Sequence, residues 1–174
     1  MTTIRIFDTE SDALAKDATK LWCISSIDYE DEEDAITLFD PTRIHDGLSH
    51  LHQCDVLVCH NLIGHDLPLL KKLYGWEPLS HQIVLDTLVF SRTLYPKRPK
   101  PINYSGKSTH SIEAWGYRLG RGKPEHEDWS KYTPEMGHRC KEDVIINRMI
   151  LKELERESEE QKMFYHEAAT KRRA

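Results

Sequence analysis

Four acidic residues have the types and placement that metal-assisted phosphodiester chemistry requires. Asp8 and Glu10 stand two apart just after the apolar stretch Thr3-Ile4-Arg5-Ile6-Phe7. Residues i and i+2 of a strand project to the same face, so both carboxylates can reach one point. Asp66 follows a second apolar run, Asp55-Val56-Leu57-Val58-Cys59, and ends the segment His60-Asn61-Leu62-Ile63-Gly64-His65-Asp66. Asp143 lies in a helical segment beyond a polar loop. Carboxylates brought together repel one another unless cations sit among them. Oxygen ligands favour Mg²⁺ or Mn²⁺ over zinc. Two such ions roughly 3.5–4 Å apart support the attacking and the leaving oxygen of a phosphodiester displacement.

That chemistry also needs a base for the attacking water. His138 precedes Asp143 by five positions on the same helical segment, and an unperturbed imidazole, with a pKa of about 6.5, suits the task near neutrality. Each residue has an ordinary reading: a solvated strand end for Asp8-Thr9-Glu10, a helix cap for Asp66, a surface histidine for His138. The ordered combination on the right element types outweighs them. Asp86 is read as the N-cap of a helix. The group His50, His52, Cys54, Cys59 and His60 lacks zinc-site spacing. Gly120-Arg121-Gly122-Lys123 is read as a charged turn, since it has no strand–glycine loop–helix context.

The elements that must hold these residues can be read from periodicity. A first strand covers 3–7 and stops at Asp8, a second runs 21–27 and a third 35–39, together an antiparallel meander. Helical spacing follows over 41–52, then a buried strand at 55–59, a helix over 67–74 stopped by Gly75, a short strand at 83–85 and a helix over 87–95. Strands alternating with helices imply parallel pairing. Residues 96–108 read as a surface loop, 111–119 as a helix and 120–131 as a polar loop. Thr133-Pro134 is the start signal of a last helix. Its apolar spacing thins after Leu154, so the expectation is a domain over 1–155 and a charged helical extension or tail over 156–174.

Bulk properties set few further bounds. With 174 residues the chain has the length of one domain. No run approaches the roughly 18 apolar residues of a membrane span, and the N-terminus has no signal-peptide pattern, so no membrane partner is expected. Four irregularly placed cysteines fit a reduced, cytosolic protein. The formal charge of −5 does not exclude nucleic acid, because basic residues cluster locally at Lys97 to Lys107, Arg118 to Lys123 and Lys171-Arg172-Arg173.

Together these residues resemble the DEDD (DnaQ-like) exonucleases. Phe7-Asp8-Thr9-Glu10 resembles the first motif, His60-Asn61 through Asp66 the second, and His138 with Asp143 the third in its histidine form, DEDDh. The likeness is greatest to the proofreading domain of phage family-A DNA polymerases. It continues through Leu85-Asp86-Thr87-Leu88-Val89-Phe90-Ser91-Arg92 and Ser111-Ile112-Glu113-Ala114-Trp115-Gly116-Tyr117-Arg118-Leu119-Gly120, and spans about 3–152. It implies an RNase H-like fold, in which a mixed five-stranded sheet joins a three-strand meander to two parallel strands between helices. It also implies a 3′→5′ exonuclease with two Mg²⁺ or Mn²⁺ ions, acting on single-stranded DNA 3′ ends beside a separate polymerase, as a phage protein in the host cytoplasm. Asp8, Glu10, Asp66 and Asp143 would be metal ligands, and Thr9, Leu14 and Asn61 substrate contacts. That phage group carries a tyrosine four positions before the last aspartate, where this chain has Arg139, so His138 would have to be the base. RNA as substrate, or an inactive binding module, are the alternative readings.

Overall fold

The structure, a computed structural model, describes residues 2–124 and 126–171, with side chains through Met163. Five strands form one sheet: β1 (Ile4–Ser11), β2 (Leu21–Asp28), β3 (Thr37–Phe39), β4 (Val56–Cys59) and β5 (Ile83–Asp86). Their order is β3-β2-β1-β4-β5. The first three pair antiparallel and β1, β4 and β5 pair parallel. This is the mixed sheet that the residue pattern leads one to expect, with the RNase H-like arrangement that the resemblance implies. The helices are α1 (Ile44–Leu51), α2 (Asp66–Tyr74), α3 (Thr87–Leu94), α4 (Ile112–Leu119) and α5 (Pro134–Lys171), with a 3₁₀ turn at Glu33–Ala35 before β3.

Alternation along β1 and β4 divides the core into two layers. Phe7, Leu57 and Cys59 belong to a cluster with α1 and α2, through Leu48, Leu51, Leu69 and Leu70. Ile6, Val56 and Val58 face the opposite way, toward Val144 and Leu151 of α5. A third cluster joins Ile112 and Trp115 of α4 to Ile146, Ile150 and Leu154 of α5. Even-numbered residues of β1 therefore look toward α5, and this period of two carries Asp8 and Glu10 to the same side.

Two boundaries differ from the sequence reading. The first strand does not stop at Asp8 but runs on to Ser11, because β2 pairs with it from Arg5 to Ser11 and satisfies its backbone beyond the last apolar residue. The parallel partner β4 reaches only Ile4 to Ile6, so the acidic half of β1 has an open flank. The last helix, in turn, does not leave the body at 155. Glu157 is buried and forms a two-pronged ion pair with Arg98 at 2.7 and 2.6 Å, and Gln161 Nε2 donates to the Leu94 carbonyl at 3.0 Å. The loop over 96–108 is consequently not wholly surface: Arg98 lies over the Trp115 ring at 4.4 Å. Of the terminal basic cluster, Arg172 and Arg173 lie outside the described residues.

Candidate active site

Each acid is brought in by a different constraint. Asp8 and Glu10 share the α5-facing side of β1. Asp143 comes from α5, whose start is fixed by Thr133, which accepts from the Met136 N–H at 3.2 Å, and by Pro134 in the first turn. Asp66 opens α2 directly after the loop that leaves β4. Ligand oxygens of Asp8, Glu10 and Asp143 lie within 4.8 Å of one another, and so do ligand atoms of Asp8, Asp66 and Cys59. Asp8 belongs to both groups and links the four carboxylates. Asp8, Glu10 and Asp143 line a pocket of about 320 Å³ with Thr9, His60 and Asn61.

The pocket raises the proton affinity of its acids. Burial, then Asp143, Glu10 and Asp66, push the Asp8 carboxyl well above the usual aspartate range. Burial and Asp143 push Glu10 up to about 7 against the pull of Arg139 and Lys123. Burial likewise raises Asp66 and Asp143. Burial and neighbouring carboxylates raise the Cys59 thiol well above its ordinary range, so it stays protonated and donates to Asp66 Oδ2 at 3.3 Å. It is a poor metal ligand in that form.

Divalent cations fit this donor set. The oxygens are hard, their mutual repulsion needs positive charge, and Asp143 Oδ1 is buried with no hydrogen-bond partner among the described residues. Asp8, Glu10, Asp66 and Asp143 would be the ligands.

Supporting contacts refine the sequence-based assignments. Thr9 faces away from α5, is buried, and donates its hydroxyl hydrogen to Asp66 Oδ1 at 2.6 Å. Its hydroxyl is thus engaged in holding Asp66 rather than free for a substrate. Asn61 lines the pocket in a left-handed backbone conformation, with φ of 65°. Asp86 does more than cap α3. Besides accepting from the Leu88 and Val89 N–H groups, its carboxylate accepts from Asn61 N and Ile63 N, both at 3.0 Å, and so fixes the loop that leads to Asp66.

The structure does not bring His138 to the pocket. Five residues of α-helix turn through about 140°, so His138 and Asp143 point in different directions, and His138 is exposed and outside the pocket lining. The residue one turn before Asp143 is Arg139, whose Nε donates to Glu10 Oε1 at 3.2 Å. Leu14 also stands outside the lining, 75% exposed on the loop after β1. The sequence reading placed Lys123 in a charged turn and gave it no role at the site, yet its ammonium donates to Asp143 Oδ2. No local pattern could reveal it, because a loop residue was paired with a helix residue only by folding.

No family model matches the chain. It is 27% identical to the DNA-directed DNA polymerases of Escherichia phage T7 and Enterobacteria phage T3, with 86% of the chain matched in each case. It spans about a quarter, 26%, of the length of those relatives. Among solved structures, Brucella melitensis NrnC superposes with a TM-score of 0.66 at 15% identity, covering 92% of this chain and 76% of NrnC. NrnC has also been solved with bound Mg²⁺. E. coli Exonuclease I in complex with a dT13 oligonucleotide superposes with a TM-score of 0.61 at 12% identity, over 94% of this chain and 43% of that one. No helix among the described residues is long and apolar enough to cross a membrane. Over most of its own length the chain is homologous to part of the phage T7 and T3 DNA polymerases, and its fold is the RNase H-like fold seen in NrnC and Exonuclease I.

Proposed function

We propose that this protein is a metal-dependent 3′→5′ exonuclease that hydrolyses phosphodiester bonds at single-stranded DNA ends. One observation carries the reading. Asp8, Glu10 and Asp143 present ligand oxygens within 4.8 Å of one another, Asp66 adjoins through Asp8, and an Asp143 oxygen is left without a partner among the described residues. Buried carboxylates are held together against their repulsion for a reason, and binding divalent ions is the reason the chemistry offers. When bound, Mg²⁺ or Mn²⁺ supplies an activated water and support for the departing 3′-oxygen.

The chain's own residues perform the remaining tasks. Thr9 and Cys59 orient Asp66 by donating to its two oxygens. Asn61 lines the pocket and is available to a terminal nucleotide, while the His60 ring is held by the Thr87 hydroxyl, 2.9 Å from its Nδ1. With His138 turned away, the proton of the attacking water passes to solvent. The direction of attack follows from the resemblance to DEDD-type exonucleases, and the preference for DNA from the phage polymerase relatives. RNA is the second reading, because NrnC has also been solved bound to pGG. Proofreading or trimming for a separate polymerase would suit either.

The test is digestion of matched DNA and RNA oligonucleotides, labelled at the 5′ end, with Mg²⁺ or Mn²⁺ and with an Asp8→Ala control. Stepwise shortening of the labelled DNA by the parent alone is expected. Faster loss of RNA would favour the second reading. Intact substrates, or a label released first as a mononucleotide, would reject the proposal and leave a binding module in its place.

A further inference from the structure

Two cations sit against the catalytic carboxylates, and both belong to a second cavity as well. Lys123 donates to Asp143, and Arg139 pairs with Glu10. A larger cavity of about 670 Å³ adjoins the acidic pocket, and Lys123, Arg139, Ser111 and Ile112 line both. The two cations stand at the boundary between them. When all are ionised, the four carboxylates and the two contacting cations sum to two negative charges. Such a pocket repels a phosphate chain. Two divalent ions would add four positive charges, leave two in excess, and remove the need for Lys123 and Arg139 as counter-ions.

We infer that Lys123 is a phosphate-binding residue for the nucleic-acid chain, held on Asp143 until metal loads and then turned into the adjoining cavity to meet a phosphate beside the one being cut. This rests on the reading of the site as a metal-dependent nuclease.

The neighbourhood is built for such a transfer. Lys123 lies on the loop over 120–131, after Gly120 in a left-handed conformation and Gly122 with open space around it. Both allow backbone rotation that other residues resist. The loop's flanks are pinned independently of Lys123. Arg121 pairs with Glu142 and Glu33, the Pro124 carbonyl accepts from Arg139 Nη1 at 2.7 Å, and Arg139 lies 5.3 Å from the centre of the Trp129 ring. Lys123 can therefore let go while the loop stays in place, and Arg139 is the more firmly held of the two. A lysine ammonium on a flexible stem is suited to this movement. Releasing it at the moment metal binds makes nucleic-acid binding depend on metal through charge as well as coordination.

The inference predicts opposite effects of one substitution in two binding measurements. In calorimetry without nucleic acid at pH 8, Lys123→Met should bind Mn²⁺ roughly tenfold more tightly than the parent, because a competing cation has left a buried carboxylate. With Ca²⁺ present and an intact labelled single-stranded DNA, the same variant should bind the oligonucleotide several-fold more weakly. Its slope of log affinity against log salt should be smaller by about 0.7, the loss of one phosphate contact on a single strand. Lys123→Gln should repeat both effects and Lys123→Arg should stay close to the parent, with melting curves confirming that each is folded. A change of both affinities in the same direction, or no change in either, overturns the inference. A parent that takes up no Mn²⁺ overturns the nuclease reading beneath it.

Discussion

Arg139 Nε lies 3.2 Å from Glu10 Oε1, one helical turn before Asp143, at the position where the resemblance implies a tyrosine. A permanently charged guanidinium cannot accept a proton from water, so this position holds charge in the site rather than a base. His138, its neighbour, points elsewhere. His138→Ala should therefore keep activity within about threefold of the parent, whereas loss of a general base costs on the order of a hundredfold or more. Rates of oligonucleotide shortening at pH 8 decide it, and a hundredfold loss would restore His138 as the base.

The raised carboxyls give the metal-free protein a definite pH dependence. Glu10 has an ordinary value of 4.5 and is pushed up to about 7 by burial and Asp143. Between those values the folded state binds more protons than the unfolded state, so stability falls as pH rises through that window. Asp8 and Asp143, also raised, act in the same direction. Thermal melts in chelator should show a falling Tm from about pH 4.5 to about 7. Stabilisation by Mn²⁺ should grow over the same range, since binding needs the carboxylates ionised. Asp8→Asn should flatten the chelator curve. A Tm that rises across this window would contradict the assignment.

Thr9 offers a test of positioning at the other end of the pocket. Removing its hydroxyl leaves Asp66 Oδ1 without its buried donor at 2.6 Å. Thr9→Val should destabilise the fold by about 1–3 kcal/mol and weaken metal binding, while Thr9→Ser should restore both. Chemical denaturation and calorimetry report the two effects separately. Weakened metal binding with unchanged stability would argue for a direct role of the hydroxyl.

The pair Arg98–Glu157 makes the last helix part of the folded body. Side-chain exposure is 6% for Arg98 and 10% for Glu157, so Glu157→Gln leaves a buried guanidinium without its counter-charge. A loss of about 3–5 kcal/mol is expected, read as a lower midpoint of denaturation with an unchanged slope. An exposed extension beginning at 156 would instead tolerate the change.

Much of this protein was legible along the chain. Apolar alternation at Ile4 to Phe7, the buried run at 56–59, the glycine stop at Gly75 and the Thr133-Pro134 start all report interactions between residues close in sequence. The strands, the helices and their order follow from such local rules. The acids were legible for the same reason, since i and i+2 on a strand must share a face and Asp66 must open the helix after its strand.

What the chain could not reveal was which distant groups would meet. Asp143 finds Lys123 and Glu10 finds Arg139 only because α5 crosses the α5-facing side of β1 and the loop at 120–131 folds beside it. Arg98 and Glu157, both read as exposed charges, become a buried pair in the same way. His138 shows the converse: its spacing from Asp143 matched a motif, yet the turn of the helix carried it out of the pocket. Residue types and periodicity determined the scaffold and the acid cluster. The cations that balance those acids were decided by tertiary packing, because charges attract through space without regard to sequence separation.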